Sequence, residues 1–141
     1  MLTKDEKKSE VMNLIGYGMA KFNNSFVLEF GFNNNSVFAR YIVSLGLADT
    51  ERAVTNRRDS FDPYFDNGRR GWFQRNQREH IKLFIDSLFG NENVHSFANI
   101  VKLYIKEINS DIVLQTEQIS PTQKSLLNNY KKQEKRLSFI L

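Results

Sequence analysis

The sequence predicts a mainly α fold: one compact helical domain of about five to six helices, with at most a small strand or hairpin element. Three observations predict it. Apolar residues recur at helical spacing through most of the 141 residues, several of these segments begin on a good N-cap residue, and only two prolines and seven glycines interrupt them. A chain of this length buries roughly two-thirds of its unfolded surface in a single core, so residues 1–141 are expected to form one domain.

The elements follow in order. Thr3 caps a first helix reaching about residue 22, with Asp5 and Glu6 in its first turn and Val11, Met12, Ile15 and Met19 as its apolar stripe. The glycines of "GYGMAKF" lack the third glycine and preceding strand of a dinucleotide site, so they are expected to serve helix packing. "NSFVLEFGF" alternates Phe26, Leu28, Phe30 and Phe32 with Val27, Glu29 and Gly31, the period of a half-buried strand. Ser36 caps a helix over about residues 36–45 that exits at Gly46, and Asp49 or Thr50 caps another to about residue 59. These two helices have the outline of a helix-turn-helix offering Arg52, Asn56, Arg57 and Arg58 to a groove, although its usual apolar positions fall on Arg52 and Thr55.

"DSFDPYFDNGRRGWF" is a loop by composition. A helix over about residues 77–89 carries Ile81, Phe84, Ile85 and Leu88, and another ending near residue 109 carries Val94, Phe97, Val101, Tyr104, Ile105 and Ile108. "DIVLQ" is a candidate short strand. Ser120 and Pro121 open a C-terminal helix over residues 121–137 with a thin stripe of Leu126, Leu127, Tyr130 and Leu137, which docks on its own domain or on a partner.

Cysteine is absent, which removes disulfides, thiolate metal sites and a cysteine nucleophile and fits a reducing cytosol. No apolar run approaches the roughly 18 residues of a membrane helix, and "MLTKDEKKSE" is charged where a secretory peptide turns apolar. A cytoplasmic protein without a membrane partner is expected, and nothing in the chain calls for a cofactor.

Charge is the sharpest signal. Between residues 52 and 78 stand seven arginines, Arg52, Arg57, Arg58, Arg69, Arg70, Arg75 and Arg78, against Asp59, Asp62 and Asp66. That local balance of +4 equals the net charge of the whole chain, so everything outside the segment sums to zero. The guanidinium fork binds phosphate bidentately and stacks on bases, as an ammonium cannot. Phe61, Tyr64, Phe65, Trp72 and Phe73 interrupt the charges; aromatic faces beside arginines stack unpaired bases, so a nucleic acid is the expected partner, a single strand above all. Phe61, Phe65 and Phe73 are expected to pin the loop to the core, leaving Trp72 and Tyr64 half exposed. The plain alternative is a solvated surface in which the three aspartates pair with neighbouring arginines.

Within this segment "RNQREH" places Arg75 and Asn76 five and four residues before His80. The pattern resembles the motif of the HEPN ribonucleases, small basic helical proteins of toxin, CRISPR and anti-phage systems that cut RNA without a metal where two motifs meet across a dimer or pseudo-dimer. The resemblance covers six residues. It implies that His80 is the acid or base on the ribose hydroxyl, that Arg75 holds the scissile phosphate and that Asn76 orders the pair. Positions five apart lie about 140° apart on an ideal helix, so Arg75 and His80 converge only if the helix begins after Arg75 or a second protomer completes the site. A histidine satisfied at the edge of the core, in line with Phe84 and Leu88, is the structural alternative.

Other constellations are thinner. Asp111 and Glu117 lack the lysine of a metal-dependent nuclease core, and Glu92 with His95 makes a ligand pair without a second pair, so no metal site is assigned. Three readings therefore leave the sequence: a nucleic-acid-binding protein of a phage, mobile element or defence system, a metal-independent endoribonuclease, and an interaction module whose arginines meet an acidic partner. The first two differ in whether His80 and Arg75 meet.

Overall fold

The computed structural model describes the backbone of residues 2–67, 78–112, 114 and 116–140, and their side chains up to residue 132. Among the described residues the chain forms seven α-helices and no strand: α1 (Lys4–Phe22), α2 (Asn24–Glu29), α3 (Asn35–Ser44), α4 (Glu51–Phe61), α5 (Glu79–Phe89), α6 (Val94–Ile108) and α7 (Pro121–Ile140), with a 3-10 turn at Asp62–Tyr64.

α1 is the axis of the fold. It opens with a full capping box, in which the Thr3 hydroxyl accepts from the Glu6 N–H while the Glu6 carboxylate accepts from the Thr3 N–H. Every residue from Glu10 to Ala20 is buried, so the helix shows no solvated face along that stretch, and α2, α4, α5 and α6 all pack on it. Gly16 and Gly18 allow the closest approaches: a β-carbon on Gly16 would stand 2.7 Å from Cγ of Arg57, and one on Gly18 would stand 2.5 Å from the ring of Phe26. The glycine pair thus serves helix packing, as its sequence context indicates.

The expected strand over residues 24–32 is a helix instead. Phe26 and Phe30 stand one helical turn apart and their ring centroids lie 5.2 Å from each other; Phe38 closes on both, at 6.0 and 5.0 Å. Leu28, which the alternating pattern would bury, is 55% exposed, while its neighbour Val27 is fully buried. α2 ends in a Schellman motif: the Phe32 N–H reaches the Val27 carbonyl, the Gly31 N–H reaches that of Leu28, and Gly31 takes φ +87°. The same motif ends α3 at Gly46, φ +77°, with Leu47 bonded to Ile42. Thr50 caps α4 through the Ala53 N–H.

The outer helices bury narrower stripes. α5 buries Ile81, Ile85 and Phe89, α6 buries Phe97, Ala98, Ile100, Val101, Tyr104 and Ile105, and α7 buries Leu127 and Tyr130. Gln123 meets Glu92 just beyond the end of α5 and Tyr130 stacks on Phe84 within it, so α7 runs antiparallel to α5. "DIVLQ" shows no strand at its described residues 111, 112 and 114.

Candidate functional site

Arg57 and Arg58, the second and third arginines of the arginine-bearing segment, both turn inward. α4 buries Val54 and Phe61, and Gly16 lets its backbone sit directly on α1. Arg57 therefore faces α1, where its guanidinium donates to the buried Asn13 side chain at 2.6 Å and to the Ser9 carbonyl at 3.2 Å. Arg78, the residue preceding α5, reaches the same Asn13 oxygen at 3.4 Å. Arg58 lies flat on Asp59 at 2.8 Å, with the fully buried Asp62 carboxylate 3.9 Å away. The Arg58 contacts follow the pattern of aspartates pairing with arginine neighbours; those of Arg57 and Arg78 go to Asn13 and Ser9 instead. Arg52 is exposed on the outer face of α4, beside the exposed Asn56. Arg69, Arg70, Trp72, Phe73, Arg75 and Asn76 lie outside the described residues.

The loop after α4 is pinned at its beginning. Phe61 is fully buried; Phe65 meets the ring of Tyr17 edge-on with centroids 5.3 Å apart, and Tyr64 is half buried. Asn67 donates through one amide nitrogen to the Ala20 carbonyl at 2.9 Å and to Asp62 at 2.7 Å. Further along α1 a second polar cluster ties α1 to α5: the Tyr17 hydroxyl donates to Asp86, which also pairs with Lys82, and Lys21 donates to Gly90 O. Burial, and then the bond to Asp86, pushes the Tyr17 hydroxyl pKa far up, while burial lowers that of Lys21. A shallow groove of about 310 Å³ runs between α1 and the α3–α4 turn, but its charges are mixed, with Lys8 and Arg57 facing Asp5 and Asp49.

α5 begins at Glu79, so His80 stands in its first turn. His80 lies one turn ahead of Phe84 on the flank that faces α7, whereas Lys82 and Asp86 lie on the flank toward α1. His80 is half buried, and its Nε2 has no hydrogen bond among the described residues.

The other histidine is wired far more densely. His95, in the first turn of α6, is bonded through Nδ1 to Glu29 at 2.7 Å and through Nε2 to Glu117 at 2.8 Å. The bond to Glu117, then that to Glu29, raises the His95 pKa above the ordinary 6.5. One turn on, Asn99 clasps the backbone of Glu117 twice, donating to its carbonyl at 2.7 Å and accepting from its N–H at 2.8 Å. Lys102 caps α2 through the Glu29 carbonyl at 2.7 Å. A cleft of about 200 Å³ opens among Glu29, His95, Asn99, Lys102, Thr116 and Glu117. The two ring nitrogens point at carboxylates on opposite edges of the imidazole, so the three side chains do not face a common point. Glu92, paired with His95 in the sequence reading, turns to Gln123 instead.

Sequence reasoning missed this corner because Glu29 lies 66 positions from His95 and Glu117 lies 22 away. Only the residue types were visible. The arrangement defines an all-α protein with a central buried helix, an arginine-tied seam along it and a histidine–carboxylate corner opposite. Compared with models of protein families, with curated proteins and with solved structures, the chain matches none. Among the described residues no helix is long and apolar enough to cross a membrane.

Proposed function

We propose that this chain binds nucleic acid, with a preference for single strands, through the arginine and aromatic residues between positions 52 and 78. The observation that carries the reading is the confinement of the entire net charge of +4 to that segment. Arg57, Arg58 and Arg78, held by Asn13, Asp59 and Asp62, act in this reading as the frame that shapes the surface. Arg52, Arg69, Arg70 and Arg75 supply the contacts to phosphate, and Trp72 stacks a base. Fluorescence anisotropy with labelled single-stranded and duplex oligonucleotides tests it. Affinity falls steeply between roughly 50 and 200 mM salt, and reversing Arg69 and Arg70 to glutamate flattens that slope, since each phosphate contact releases about one counterion. Trp72→Ala weakens single-strand binding by about 1–3 kcal/mol and duplex binding by less. Binding indifferent to salt and to the reversal overturns the reading and leaves the segment for an acidic protein surface.

A second reading, a HEPN-like ribonuclease, is favoured by the start of α5 at Glu79. A continuous helix through Arg75 and His80 would hold their side chains about 140° apart; α5 starts only at Glu79 and Arg78 is non-helical, which supports a pair that can converge. Cleavage of single-stranded RNA in the presence of a chelator, leaving cyclic phosphate or 3′-phosphate ends, is the expected activity.

A further inference from the structure

We infer that Glu29, His95 and Glu117 form a proton-dependent latch holding the segment that leads into α7 against the end of α2, with both links closed on the imidazolium and one released on the neutral ring. The chemistry of the donors dictates this. A carboxylate only accepts, and a neutral imidazole has one N–H, so bonds of 2.7 and 2.8 Å from the two nitrogens to two carboxylates require both nitrogens protonated. Loss of the proton leaves one ring lone pair facing a carboxylate, and that contact opens.

Each carboxylate is presented by a separate device. The end of α2 is fixed by Lys102 on the Glu29 carbonyl, so the Glu29 side chain points at α6. The backbone of Glu117 is fixed by Asn99 on both its N–H and its carbonyl, so its side chain pivots about an anchored point. The charged groups facing His95 are Glu29 from α2, Glu117 from the α6–α7 connection and Lys102 two turns further along α6. The carboxylates touch the ring directly and outweigh the lysine, which is engaged with Glu29 O and the Phe30 ring. The connection carries no regular structure at its described residues, and α7 beyond it places Leu127 and Tyr130 in the core. Opening the latch therefore loosens the rim of the 200 Å³ cleft and the approach to α7, and leaves the Asn99 clasp on the Glu117 N–H and carbonyl to open more often.

The pKa of His95 sits above the ordinary value of 6.5, which puts the release on the alkaline side of it. NMR on the full chain tests the latch through the His95 ring resonances and through backbone amide protection factors, in which the intrinsic pH dependence of exchange is divided out. His95 titrates above 6.5, and protection of the Glu117 amide and its described neighbours drops several-fold through the same step. In Glu117→Gln the titration moves down and the drop vanishes; in His95→Asn protection is flat with pH. An ordinary His95 titration, or protection that does not change through the step in the wild-type chain, overturns the proposal.

Discussion

The two histidines occupy equivalent places and live in opposite circumstances. Each is the second residue of its helix, His80 in α5 and His95 in α6. His80 is half buried one helical turn before Phe84, and its buried Nε2 has no hydrogen bond among the described residues, whereas His95 is exposed and has both nitrogens bonded to carboxylates. What separates them is what tertiary packing brings alongside: α2 and the α6–α7 connection bring two carboxylates to His95, and among the described residues none bonds the buried nitrogen of His80. Local sequence points to His80 because its neighbours in the chain are arginines, and gives no sign of the partners of His95, which lie 66 and 22 positions away.

The contrast breaks most decisively on catalysis. Under the ribonuclease reading, His80→Ala lowers chelator-resistant RNA cleavage by at least about a hundredfold, the low end for general acid–base catalysis, and leaves the melting temperature nearly unchanged. Arg75→Ala then damages both cleavage and affinity, because its charge meets phosphate in the ground and transition states alike. A histidine that serves only the α5–α7 seam gives the reverse: a lower melting temperature and no activity to lose. His95→Ala should leave cleavage untouched in either case, which makes it the internal control.

Phe84→Ala probes the apolar side of the comparison. Phe84 stacks on Tyr130 with planes 19° apart, and Tyr130 is fully buried among Phe89 and Tyr104. Its truncation should cost about 2–4 kcal/mol in urea unfolding, the range for an aromatic that is mostly but not wholly enclosed. A cost below 1 kcal/mol would show that α7 contributes little to the fold and that His80 faces solvent more than packing.

Asn99→Ala probes the polar side. The substitution strips partners from both backbone groups of Glu117 in one step, and about 1–3 kcal/mol is expected from urea unfolding, since a backbone donor and acceptor lose their bonds together. An unchanged midpoint would mean that water replaces the clasp at no cost, and the latch would then lack its anchor.

Legibility in the sequence tracked the range of the interaction. Thr3, Thr50, Gly46 and Ser120 with Pro121 announce helix ends because caps act within three or four residues, and the structure places helix boundaries at those marks. The apolar stripes of α5 and α6 were equally local. Residues 24–32 misled because Phe26, Leu28, Phe30 and Phe32 satisfy period two while Phe26 and Phe30 also satisfy a helical turn; the tie is settled by Phe38 and by Phe97 of α6, the latter far along the chain. Gly31, placed on a strand face by pattern, is a helix exit for the same reason. Arg57 is held by Asn13, 44 positions away, which nothing near it in sequence reveals, whereas Arg58 is held by Asp59 and Asp62, neighbours that the sequence does show. The Glu29–His95–Glu117 corner had no local signature at all.

The smallest expected effect is the most specific to the corner. His95 has a folded-state pKa raised above 6.5, so its contribution to stability is fully present below 6.5 and is lost as pH rises through the raised value. Comparing the wild-type chain with His95→Gln by thermal melting across that window, the advantage of the wild type should be constant in the acid range and then shrink to a plateau. The side chain is 54% exposed and Glu117 is 70% exposed, so solvent and salt screen the pair and the shift in melting temperature should be modest and largest at low ionic strength. Glu117→Gln should remove more of the pH dependence than Glu29→Gln, because the bond to Glu117 is the larger cause of the raised pKa. The reverse order would place the stronger partner at the end of α2 and make the α6–α7 connection the weaker half of the latch. A wild-type curve that gained stability on raising the pH through the same window would contradict the sign itself, since a proton held more tightly by the folded state can only be a loss when it leaves.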